Sequence, residues 1–204
     1  MSSKTKRHIL ILYGLLAIAL VALGVGLPRW SGETDVGVQK EMESDERTFF
    51  WEIYPELVIP NAGKAIDKSL HIKDLNDGEI TVKDLSERSP LLVFRYSQYD
   101  CHLCVDQVLE KLHTIYEGDE DKVCLIIDGM AGREFRLKYK NRKMNFLSYF
   151  VVDNSLGLSL ENKNLPFLFV LSGDARVNKV FVPFKEFPDQ TDAYLRNIKA
   201  LLSD

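Results

Sequence analysis

The chain has 204 residues, 46% of them hydrophobic and 27% charged, with a formal net charge of −4. That composition excludes a disordered tail and a multi-span membrane protein, and the length allows one domain or at most two of about 100–200 residues. Three cysteines are too few for a disulfide-stapled scaffold, and the acidic balance argues against a nucleic-acid binder.

Charge divides the chain into zones. Residues 1–8 are a basic N-terminus carrying Lys4, Lys6 and Arg7. Ile9 to Leu27 is a 19-residue run without a charge. A helix needs about 20 apolar residues to cross a bilayer, whereas the apolar core of a cleaved signal runs to about 7–15. The run is therefore expected to be one N-terminal transmembrane helix that is retained as a signal anchor. Ala22-Leu23-Gly24 and Gly24-Val25-Gly26 keep the cleaved alternative open, because both are small-x-small patterns. No cysteine occurs in the first 100 residues, which excludes an acyl anchor. Basic residues before the span and acids after it predict a cytoplasmic N-terminus and an extracytoplasmic, periplasmic globular part. Residues 28–47, rich in acids (Glu33, Asp35, Glu41, Glu43, Asp45, Glu46), are expected to be a solvated tether.

Residues 48–204 form the expected folded domain. Phe49, Phe50, Trp51, Ile53, Tyr54, Leu57, Val58 and Ile59 form an apolar lead-in broken by Pro55 and Pro60. It is expected to pack on the domain as an irregular segment, with a patch for a partner or membrane as the alternative. Leu70–Leu75 and Glu79–Val82 alternate around Asn76-Asp77-Gly78, a hairpin signal. Leu91–Tyr96 is a mostly apolar run that marks a central strand. Cys101–Tyr116 has helical spacing, with Asp100 as the expected N-cap. A buried strand over Val123–Ile127 follows, then a helix over Glu134–Arg142 and a strand over Phe146–Val152. A loop or short helix runs through Lys163. A second hairpin spans Phe167–Leu171 and Arg176–Val182, and a helix over Asp189–Leu202 ends the chain. The order predicts an α/β fold around one mixed sheet.

Cys101-His102-Leu103-Cys104 falls where a buried strand gives way to a helix. Unpaired N–H groups and the helix dipole favour a thiolate there, and the thiolate is the form that attacks disulfides. Cys101 is expected to be the accessible sulfur, with Cys104 one turn deeper. Other readings of the pair are two small core residues, or a metal site with His102. No second Cys/His cluster completes that site, since Cys124 is mid-strand, where it reads as a core residue, and His113 is isolated. Covalent haem needs a histidine where Val105 stands.

With this strand, pair and helix, residues 66–202 resemble the thioredoxin-like superfamily, nearest its membrane-anchored TlpA/ResA-type thiol–disulfide oxidoreductases. The hairpin at Leu70–Val82 and the Leu165-Pro166 step before Phe167 fit that branch. The resemblance implies a central mixed sheet flanked by helices, Cys101 as nucleophile and Cys104 as resolver. It also implies a cis Pro166, with Leu165, as the substrate-binding platform. Protein thiols and disulfides would be the partners, with no cofactor and no metal. The sequence departs from the pattern at several places. Tyr99 and Asp100 stand where tryptophan is usual, Leu103 where proline is common, and Arg95 where thioredoxins bury an acid. The peroxiredoxin proline and threonine would fall on Phe94 and Gln98. Arg95 and His102 are candidates to favour the Cys101 thiolate and Asp100 to oppose it, so the direction of the redox reaction stays open. A non-enzymatic binding module on the same scaffold is the alternative function. The basic run Arg133, Arg136, Lys138, Lys140, Arg142 and Lys143 reads as a solvated helix face or as a site for an acidic partner or an anionic lipid headgroup.

Overall fold

The computed structural model describes residues 48–88, 90–140, 145–151 and 155–203. The expected span at 9–27 and the tether at 28–47 lie outside them, as do Arg142 and Lys143. Among the described residues no helix is long and apolar enough to cross a membrane. Phe50–Asp204 form one compact unit.

The lead-in residues coil through a π-helical turn, helix α1 (Tyr54–Val58) and a 3₁₀ turn (Ile59–Asn61). Leu57 and Val58 press onto the core. Asn61 fixes the end of the segment: its amide donates to Leu57 O and Ser159 Oγ, and its oxygen accepts Ser159 N–H at 2.8 Å.

Strands β1 (His71–Asp74) and β2 (Glu79–Thr81) form the first hairpin. Asp74 Oδ1 accepts the N–H groups of Asn76 and Gly78, and Asp77 takes a positive φ of 63°. Val82 does not continue β2. It opens helix α2 (Val82–Ser86), because Thr81 and Asp84 form a reciprocal capping box.

β3 (Leu91–Ser97) is buried along its whole length, and β4 (Val123–Asp128) is buried but for its last residue, as befits strands covered on both faces. Helix α3 (His102–Ile115) follows β3. Helix α4 covers Gly132–Lys138 rather than Glu134–Arg142. The Glu134 carboxylate accepts the N–H of Ala131, which sets the start earlier than periodicity suggests. β5 (Leu147–Val151), a 3₁₀ turn (Ser159–Lys163), β6 (Phe167–Leu171), β7 (Val177–Phe181) and helix α5 (Pro188–Ser203) complete the chain.

The seven strands form one sheet in the order β2-β1-β5-β4-β3-β6-β7. β3, β4 and β5 are parallel, and β1, β6 and β7 pair antiparallel to their neighbours. One face carries Phe94, Tyr96, Leu125 and Phe150 beneath α3, α4 and α5. The other carries Val93, Ile126, Phe167 and Phe169 beneath α2, the lead-in and residues 156–160.

The register gathers one end of the sheet. Arg95 pairs with Phe167, so the start of β6 lies beside the C-terminal end of β3. Leu168 pairs with Phe181, so β7 finishes there too. The Cys101 turn, the end of β4, Pro166 and residues 182–187 therefore converge. In sheets of this kind ligands meet the protein at the carboxyl ends of the central parallel strands.

Candidate active site

Cys101 itself, not Asp100, is the N-cap of α3. Its sulfur accepts the Cys104 N–H at 3.4 Å. The Cys104 thiol donates to the same sulfur, with the two Sγ atoms 2.8 Å apart. Asp100 turns away from the helix. Its carboxylate accepts the N–H and the hydroxyl of Ser97, both at 2.8 Å, and the side chain is fully buried. The Ser97 hydroxyl also accepts the Tyr99 N–H, and Gln98 N–H donates to Asp128 O, so the turn leading into Cys101 is held at every step.

The two sulfurs differ. Cys101 is half-buried and Cys104 is 7% exposed. Burial acts to raise the Cys101 thiol. The hydrogen bond from Cys104, the N–H groups of Cys104 and Leu103, and the Lys185 ammonium outweigh it and hold Cys101 below the usual thiol range. Burial, the bond to Cys101 and the nearby Glu186 push Cys104 up to about 11, against the N–H of Lys185. A lowered outer thiol beside a raised inner one is the arrangement in which the outer sulfur attacks first. Cys124 is fully buried in β4 and raised by desolvation, so it is a packing residue.

Three side chains around the pair are open to solvent. Tyr99 is 75% exposed and Leu103 62% exposed, and His102 is exposed with them. The turn Pro183–Phe187, which brings Lys185 to the sulfurs, is braced by the lead-in. Phe50 packs edge-on against Phe187 at 5.0 Å, Tyr54 lies 6.4 Å from Phe184, and Tyr54 Oη accepts the Val182 N–H.

Arg95 is 2% exposed and directs its guanidinium at carboxylates. Nη2 donates to Asp128 at 2.8 Å, Nη1 lies 3.6 Å from Asp100, and Nε lies 3.8 Å from Glu161. Glu161 in turn accepts the N–H groups of Leu156 and Leu158 and the hydroxyl of Ser155. Asn164 follows at a positive φ of 53°, a left-handed turn that asparagine tolerates, and delivers Leu165 and the buried Pro166 to β6.

No protein-family model and no curated protein matches this sequence. Solved structures do. A thiol:disulfide interchange protein from Bacteroides sp. superposes with a TM-score of 0.51 over 70% of this chain and 91% of its own, at 11% identity. This chain has a thioredoxin-like fold. The thioredoxin domain of a thiol-disulfide oxidoreductase from Bacteroides vulgatus is also similar, at TM-score 0.48 and 10% identity, with 69% of this chain and 98% of that one covered. So is the peroxidoxin BcpB from Mycobacterium tuberculosis, at TM-score 0.46 and 13% identity, with 68% and 97% covered.

Within the thioredoxin-like domain, Cys101, His102 and Cys104 share the N-terminal turn of α3. Leu165 and Pro166 open the adjacent strand at the same end of the sheet. Arg95 and Asp100 meet each other beneath the turn, so Arg95 is engaged with acids on the sheet face opposite α3. Sequence reasoning missed Asp128, Glu161 and Lys185. Asp128 was marked by an acid closing an apolar strand. Glu161 was marked by a carboxylate at the third position of a short turn, the place from which it reaches back to free N–H groups. Lys185 carried no signal beyond its place in an aromatic segment.

Proposed function

We propose that the chain is a thiol–disulfide oxidoreductase whose thioredoxin-like domain lies outside the cytoplasm, tethered to the membrane by Ile9–Leu27. The single observation that carries the redox reading is the contrast between the sulfurs, one half-exposed and lowered at a helix start, the other buried and raised to about 11. The Cys101 thiolate attacks a partner disulfide and forms a mixed disulfide, and the partner's first sulfur departs as a thiolate and takes up a proton. Cys104 then loses its proton and attacks Cys101 Sγ. The partner's second thiol is released, and Cys101 and Cys104 are joined. The partner gains the two electrons that the pair loses, and a dithiol donor restores the pair.

Leu165 and Pro166 form the platform for an extended segment of the partner, and the exposed Tyr99 and Leu103 supply apolar contact beside the reacting sulfur. The exposed Arg133, Arg136, Lys138 and Lys140, opposed by Glu134, offer an acidic partner a second face. The basic flank before the apolar run, and the acidic one after it, support the orientation.

Trapping tests the redox reading. A Cys104→Ser variant of the full chain should accumulate mixed disulfides through Cys101, and Cys101→Ser should accumulate few. If neither traps a partner and the wild type reduces no disulfide, the domain is a binding module.

A further inference from the structure

We infer that Arg95 is a positioning residue that locks the Cys101 turn to the Pro166 segment, so that a protein disulfide is held in register with the attacking sulfur. The inference rests on the thiol–disulfide reading of the site. Arg95, buried in β3, is the side chain that fits that apolar strand least. A buried guanidinium is costly unless each of its edges is paired. Here Nη2 donates to Asp128 at the end of β4, while Nη1, which has no hydrogen-bond partner among the described residues, faces Asp100 just before Cys101 at 3.6 Å, and Nε faces Glu161 in the 3₁₀ turn that precedes Pro166 at 3.8 Å, so the cation is balanced by carboxylates from separate parts of the chain. Its Cζ sits over the ring of Phe167, the residue after Pro166, 5.6 Å from the ring centre.

Each carboxylate passes that position on to its own backbone. Asp100 holds the Ser97 N–H, and Glu161 holds the N–H groups of Leu156 and Leu158. The two sides of the candidate site, nucleophile turn and platform, thus share one ion cluster, buried but for Asp128. Only the planar fork of arginine can meet carboxylates in three directions; a lysine offers a single point charge. Arg95 and Glu161 meet on the sheet face opposite α3, so their effect on reaction is geometric. A small disulfide needs only the sulfur. A protein disulfide needs the sulfur and the platform in register, and small misplacements of a bound group are costly.

The test compares two disulfides on the reduced full chain, in single turnover, for the wild type, Arg95→Lys and Glu161→Gln. One disulfide is a small aromatic one and the other is insulin. The variants should keep the wild-type rate on the small disulfide and the wild-type pH profile of Cys101 alkylation, while the rate on insulin falls about tenfold or more. Equal losses on both disulfides with a shifted alkylation profile would overturn the inference, because Arg95 would then act on the thiolate. Unchanged rates on both would overturn it too, and leave the cluster as packing. If Arg95→Lys does not fold, Glu161→Gln decides by the same criteria. A wild type inert toward both disulfides removes the redox reading and the inference with it, whereas an active wild type whose variants do not separate the substrates removes the inference alone.

Discussion

The two faces of the sheet are built on different principles. Beneath α3, α4 and α5 the contacts are made by residues such as Phe94, Val108, Leu112, Leu125 and Leu195, all buried and nearly all apolar. Beneath the lead-in, α2 and the 155–166 segment the cover is irregular. At the end nearest Cys101 it gives way to an arginine and its carboxylates. Helices cover a sheet by repetition, so their packing is generic and tolerant. Irregular segments cannot satisfy their own backbone groups, so side chains such as Asn61, Asp100 and Glu161 must do it for them. The second face trades apolar contact for directional bonds, and it is the face that carries the Pro166 segment.

Breaking the second face is expected to cost most. Arg95→Met leaves Asp100 and Glu161 buried without their cation and should lower unfolding stability by about 3–5 kcal/mol, measured by denaturant titration. Adding Glu161→Gln to that variant should recover part of the loss, and a double-mutant cycle over the two positions should show strong coupling. Additive effects would mean the cluster is not a unit.

On the helical face the loss has another cause. Leu112→Ala should cost about 2–5 kcal/mol by opening a cavity under α3. No change of charge elsewhere should restore it, which separates the two faces as clearly as the sizes do. The smallest effect belongs to the cap at the margin of the second face. Thr81→Ala removes the acceptor of the Asp84 N–H and should cost about 1 kcal/mol, seen as a lowered Tm.

The same contrast explains what could be read from sequence. α3 was legible from its spacing, and β3 and β4 from their apolar runs, because each pattern is local and repeats. The hairpin was legible from Asn76-Asp77-Gly78. The helix at Val82 was hidden by alternation that continued one residue into it, although Thr81 and Asp84 stood at capping distance. Cys101, Cys104 and Pro166 could be picked out because residue type and place in the element order coincide. Arg95 could be picked out as unusual, but its partners could not: Asp128 and Glu161 come from distant parts of the chain, the first brought to Arg95 by the β3–β4 register and the second by the turn before β6. Asp100 looked like a helix cap because it precedes α3, yet a buried serine hydroxyl and an arginine offered it more than the helix did.

The central claim is that Cys101 is the attacking sulfur, and site-resolved alkylation of the reduced full chain across pH tests it most directly. Only the thiolate reacts, so each rate rises with pH until the thiol's own pKa is passed. Cys101, held low by its hydrogen bonds and Lys185, should label first and level off at lower pH than an ordinary cysteine. Cys104, raised to about 11, should label slowly and still be gaining rate when Cys101 has levelled. Faster labelling of Cys104, or one shared profile for both sulfurs, would contradict the account.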